Sequence, residues 1–247
     1  MVGKLLIRGM LAGIAAGLLT FSFARVVGEP QVDQAISFEE KADAAKGEAP
    51  EPEIVSRATQ ASYGLFTGVM VYGASIGGIF ALVFAYARGR TGPIPARALS
   101  VWLALAAFVA FYMVPNIKYP ANPPSVGDPD TIGMRTGLFF LMIAISVAVS
   151  VFSLKVRAAL VPRHGVWNAS IVALVLFVVV IGAIQLALPT INEVPAAFPA
   201  VLLWKFRTVS IGMQAILWTT IGLLFGALVE RLEGASAASR RLAARGA

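Results

Sequence analysis

The chain has 247 residues, 58% of them hydrophobic and 13% charged, with a mean hydropathy of +0.79 and a formal net charge of +7. That balance excludes an ordinary soluble domain and fits a multi-span membrane protein. Cysteine is absent, which excludes disulfides, thiolate metal sites and cysteine nucleophiles.

Six runs are long enough to cross a hydrocarbon core as helix, which takes about 20 apolar residues. They cover residues 5–27, 63–86, 98–114, 133–154, 166–188 and 209–229. The runs are continuously apolar where barrel strands would alternate and be shorter, so helices are expected. The predicted fold is an all-α integral membrane protein, a bundle of six transmembrane helices. Residues 1–233 form a single transmembrane domain and 234–247 a basic, mobile cytoplasmic tail within reach of anionic lipid.

The first run carries Gly9, Gly13 and Gly17, a flat stripe on which another helix can press closely. Ser22-Phe23-Ala24 resembles a signal cleavage site, but the run is longer than a signal core and reads as a packed anchor. The second run repeats the device with Gly64 and Gly68, then Gly73 and Gly77, and the sixth with Gly222 and Gly226. A homo-oligomer seam is the alternative use of these stripes. Between the first two runs lies an acidic segment, 28–62, expected to hold a short helix on the outer surface, broken by Ala49-Pro50-Glu51-Pro52. On that helix Glu39 and Asp43 share a face, with Glu40 beside them, as a metal-collecting site; a solvated acidic face is the plain alternative.

A short basic turn around Gly92-Pro93-Ile94-Pro95 closes the first hairpin pair. Two proline-rich caps follow, over residues 115–132 and 189–208, and five prolines within the first predict a fixed lid. Pro30-Gln31-Val32, Pro115-Asn116-Ile117 and Pro189-Thr190-Ile191 share one pattern, each followed 18 to 27 residues later by Arg57, Arg135 or Arg207. Three repeated hairpins, each stopped by its proline and all capped on one side, would give this pattern.

Placing the amino terminus inside puts 12 of the 20 basic residues on the cytoplasmic side with only Glu230 and Glu233 as acids. The outer side then holds 8 basic and 11 acidic residues. The positive-inside rule therefore predicts that both termini are cytoplasmic, and this segregation argues against nucleic acid as a partner; membrane lipid is the expected surroundings.

Several residues within this pattern resemble the CbtA family. The segment Pro30-Gln31-Val32-Asp33-Gln34-Ala35-Ile36-Ser37-Phe38-Glu39 looks like its acidic cap. Tyr63-Gly64-Leu65-Phe66-Thr67-Gly68-Val69, continuing to Phe84-Ala85-Tyr86-Ala87-Arg88-Gly89-Arg90, is similar to its second span and basic turn. Residues 108–124 and 188–199 resemble its two proline caps. The resemblance implies a cobalt transporter subunit in a bacterial cytoplasmic (inner) membrane, with Co2+ or a related divalent ion as cargo. It also implies a small single-span partner carrying histidines. Where the family often has a histidine before the third-span proline, this chain has Phe111-Tyr112-Met113-Val114-Pro115.

Cobalt favours imidazole and carboxylate ligands, yet the chain has one histidine, His164, in the inner turn. Met113, Met134 and Met213 read as packing. The runs contain no plausible intramembrane Asp, Glu, Lys or His; Tyr112, Gln185 and Gln214 stand out as a polar path or as interhelical hydrogen bonders. Arg57, Arg135 and Arg207 at outer span ends are expected to pair with acids such as Asp130 and Glu193, fixing cap to helix; an arginine ring around an anion is the alternative. No phosphate-binding loop, zinc-protease motif or nucleophile elbow occurs, and no cofactor is expected. The expected function is therefore non-enzymatic: a membrane subunit of a divalent-cation, cobalt, uptake system. A non-transporting accessory subunit of a larger membrane complex is the alternative.

Overall fold

The structure, a computed structural model, describes residues 2–47 and 54–245, with side chains described to residue 234. Among the described residues every regular element is a helix, and five helices are long and apolar enough to cross a membrane. They are α1 (Val2–Lys46), α2 (Arg57–Ala87), α3 (Ala96–Lys118), α4 (Pro129–Ala187) and α5 (Ala200–Arg245). The Pro50 break and the acids Glu48, Glu51 and Glu53 lie outside the described residues.

α1 and α2 pack antiparallel through their glycines. Gly9, Gly13 and Gly17 face Gly77, Gly73 and Val69, so closely that a Cβ on Gly77 would sit 2.9 Å from the Gly13 Cα. Apolar lipid offers no hydrophobic gain for helix association, so this close van der Waals contact is what joins the pair. Gly64 and Gly68 take no part, as no other helix among the described residues approaches a Cβ at either. α3 and α5 pair in the same way: Gly222 meets Ala104, Gly226 meets Arg97 and Ser100, and the Ser100 hydroxyl donates to the Gly222 carbonyl at 2.7 Å. Phe80 and Phe84 of α2 meet Phe225 of α5 edge to face, at 5.4 and 5.1 Å between centroids, and close the shared core with Leu99, Leu217 and Ile221.

α4 is not a straight rod. Gly165 adopts φ 73°, ψ 167°, which only glycine takes without strain, and breaks the helix. The arms fold together: Arg157 Nε donates to Ser170 Oγ at 2.8 Å, and Met142 shares an apolar cluster with Ile181. Residues 155–164, between the two apolar runs, are helical, Pro162 included, and the turn narrows to Gly165.

The prolines behave differently from expectation. Pro30 and Pro115 do not stop their helices. A proline ring collides with the carbonyl four residues back in an α-helix; here a π-turn precedes each proline and moves that carbonyl aside. Glu29 N–H bonds the Ala24 carbonyl, and Val114 N–H bonds the Val109 carbonyl, each five residues back. α1 therefore continues to Lys46 as one helix where a separate surface helix was expected, and its 45 residues run about 68 Å, far longer than a bilayer core. Pro189 does follow a true helix end, after Ala187. The last helix continues to Arg245, through residues assigned to the tail.

These pairings sort the molecule into two ends. At one, the far part of α1 packs on the proline segments, with Ala35, Val126, Phe198 and Leu202 buried together and Phe38 edge to face with Phe198 at 5.0 Å. At the other, Arg88 donates both to the Ile94 carbonyl and to Glu233, and Arg97 pairs with Glu230.

Candidate functional site

The first group is the tip of α1. Glu39 and Asp43 lie one turn apart, but Asp43 is engaged by Lys46 at 3.3 Å, and Lys41 stands between them in sequence. Glu40 is exposed. Among the described residues no three His, Cys, Asp or Glu side chains come together as a metal-binding group.

The second group is a polar layer beneath the cap. Tyr112, in the α3 π-turn, shares a 2.7 Å hydrogen bond with Ser210 of α5. One turn further along α5, Gln214 bonds Tyr72 of α2. Gln185 of α4 donates to the Val114 carbonyl at 3.0 Å, beside Pro115. The three polar residues singled out in the sequence therefore each tie two helices together. The tyrosine and serine partners, Tyr72 and Ser210, belong to this layer as well; Ser210 was missed because a lone serine in an apolar run carries no pattern.

The third group is the arginines of the cap. Arg57 donates to Glu29 and, at 2.9 Å, to Asp33, clamping α2 to α1. Glu29 is nearly enclosed in this pairing, its side chain 9% exposed. Arg135 Nε lies 3.4 Å from Glu193, which also accepts the Asp128 N–H at 2.7 Å. Bonds from Thr131 and Asp128, then the Arg135 charge, hold the Glu193 carboxyl below its usual value. Arg207 has neutral partners: it donates to Asn122 Oδ1 at 2.8 Å and to the Ala121 carbonyl at 3.4 Å. Asp130 makes no ion pair among the described residues; its backbone N–H instead donates to the Asp128 side chain at 2.9 Å.

Arg135 and Arg207 line one open cleft of about 610 Å³, with Tyr119, Asn122, Pro123, Pro124, Phe139, Asn192 and Glu193 among its walls. Its shape is set by backbone that side chains rarely adopt: Ser125 has φ 68° and Gly127 φ 130°, and a Cβ on Gly127 would collide with the Arg135 guanidinium.

Long apolar helices joined by glycine contacts, with charge confined to the two ends, define an integral membrane protein of helical-bundle type. The chain belongs to the CbtA family, described as a probable cobalt transporter subunit, whose profile matches residues 2–230. Membership marks it as a subunit that works with partner chains, and a transporter-subunit family is consistent with a non-enzyme. No curated protein and no solved structure matches the chain.

Proposed function

We propose that the protein is the membrane subunit of a divalent-cation uptake transporter with cobalt as cargo. The family supports the cargo. In this reading α4 crosses twice, folding at Gly165, so that six spans form the domain with its cap outside and both termini in the cytoplasm of a bacterial cell. Supporting that orientation is the observation that carries the proposal: α1 acids and proline caps gather at one end, while Arg88 and Arg97 occupy the other.

Glu39, Glu40 and Asp43 then act through their field, raising the local concentration of hydrated Co2+ at the cap without dehydrating it. Tight ligation falls to a small single-span partner subunit bearing histidines, since neutral imidazole suits cobalt and this chain has one histidine. The layer of Tyr112, Gln185 and Gln214 offers neutral oxygens along the route. The test is cobalt accumulation in cells making this protein with its partner. Uptake above that of control cells, lowered in the E39Q/E40Q/D43N variant, supports the reading; accumulation equal to controls contradicts it.

A second reading is favoured by the absence of a three-ligand metal group among the described residues: a subunit that scaffolds a larger membrane complex without contacting cargo. Under it, cobalt uptake requires the chain but is indifferent to the three acids, and a large partner co-purifies in mild detergent.

A further inference from the structure

We propose that the cap cleft is a binding site for a small organic carboxylate, whose head is held by Arg207 and whose short apolar body lies on the cleft's proline and phenylalanine wall. The unmatched charge of Arg207 carries this. Its guanidinium is partly withdrawn from water, and among the described residues no carboxylate lies within ion-pair distance. Its bonds to Asn122 and Ala121 use only part of a rigid donor fork that suits a carboxylate's two oxygens. Withdrawing a cation from water without a counter-ion is costly, so an anionic ligand completes the site.

The second arginine of the cleft is accounted for differently. Arg135 is matched by Glu193, itself fixed by Asp128 and Thr131, so that pair adds no net charge. The three charged walls therefore sum to one positive charge, Arg207's, which calls for a monoanion. Pro123, Pro124, Val126, Phe139, Ile191 and Val194 make the rest of the lining largely apolar. That surface gains nothing from inorganic phosphate, hydrated on all sides, and does gain from a hydrocarbon body. A volume of about 610 Å³ is in the usual range of small-molecule sites. Prolines and the Ser125–Gly127 turn fix the walls before a ligand arrives, which lowers the ordering cost of binding.

The test uses the full chain in nanodiscs of zwitterionic lipid, without metal or partner chain, titrated calorimetrically with butyrate, benzoate, butyramide and inorganic phosphate. Butyrate and benzoate bind, whereas the neutral isostere butyramide and phosphate do not. R207Q weakens butyrate binding about tenfold or more, the loss expected for a charge-assisted hydrogen bond, and R207K, which keeps the charge but not the fork, weakens it less. Equal binding of butyrate and butyramide, phosphate binding tighter than butyrate, no butyrate or benzoate binding, or an undiminished R207Q each overturns the proposal. The comparison among ligands needs no variant, so it stands even where a substitution disturbs folding. Because no cobalt enters the assay, its outcome is separate from that of the transport reading.

Discussion

Gly13 of α1 and Gly73 of α2 meet backbone to backbone: a Cβ built on either would overlap the carbonyl oxygen of the other. The two helices approach so closely because side chains are missing on both sides at the same level, and Gly9 and Gly77 repeat the relationship further along.

Adding a methyl group here forces the helices apart along their length. G13A and G73A are each expected to lower stability by about 1–3 kcal/mol, the usual cost of overpacking. G137A, where a Cβ meets nothing, changes stability little. Thermal unfolding in detergent, followed by near-ultraviolet circular dichroism, separates the two cases. Equal midpoints for G13A and G137A would contradict the seam.

Gly165 folds α4 into a hairpin. Phe140 and Ala183 are 43 residues apart, so a continuous helix would hold them about 64 Å apart. Paired arms bring them to about 10 Å between axes. The chain has no cysteine of its own, so spin labels on F140C/A183C report the distance directly. A separation under about 25 Å is expected once label length is added to that spacing. A value near the rod length would remove the hairpin and, with it, two of the six proposed spans.

Arg57 sits over the nearly enclosed Glu29 carboxylate. R57M leaves that charge without its partner and is expected to destabilise by about 3 kcal/mol, the scale for breaking a withdrawn ion pair. The double variant E29Q/R57M removes both charges and recovers most of the loss. Chemical unfolding of the three proteins gives the coupling; a double variant no better than R57M alone would mean that Arg57 acts by packing.

Glu193 gives the cap a pH dependence. Its carboxyl titrates lower in the folded protein than the ordinary value of 4.5, because Thr131, Asp128 and Arg135 favour the charged form. The resulting stabilisation is complete above that value and is lost as the pH falls through the lower folded value. Hydrogen exchange at the Asp128 amide, whose bond Glu193 accepts, should therefore speed up on acidification below about pH 4.5 beyond the intrinsic pH effect. In E193Q the amide should lack this extra pH response.

Much of this architecture is readable in the residues themselves. Continuous apolar runs locate the membrane-length helices, and glycine at every fourth position marks Gly9, Gly13, Gly73 and Gly77 as contact surface. Arg57 and Arg135 sit where acids of neighbouring caps can reach them. Pro30 and Pro115 mislead because a proline's cost depends on the turn before it, and a π-turn leaves no mark in composition. Gly64 and Gly68 have the right spacing but no facing helix among the described residues, since which glycine stripe is used depends on the partner's register. Arg207 illustrates the same limit: its position suggests an ion pair, but the fold delivers Asn122 and a carbonyl instead of an acid.

The most direct test of the whole account asks on which side of the membrane each end lies. Single cysteines at Glu40 and Arg90, introduced as E40C and R90C into this cysteine-free chain, are exposed to a membrane-impermeant maleimide in intact cells. The account predicts labelling of E40C from outside and of R90C only after the membrane is permeabilised. Labelling of both from one side would contradict the separation of acidic cap and basic end on which the proposed orientation, collecting surface and route all depend.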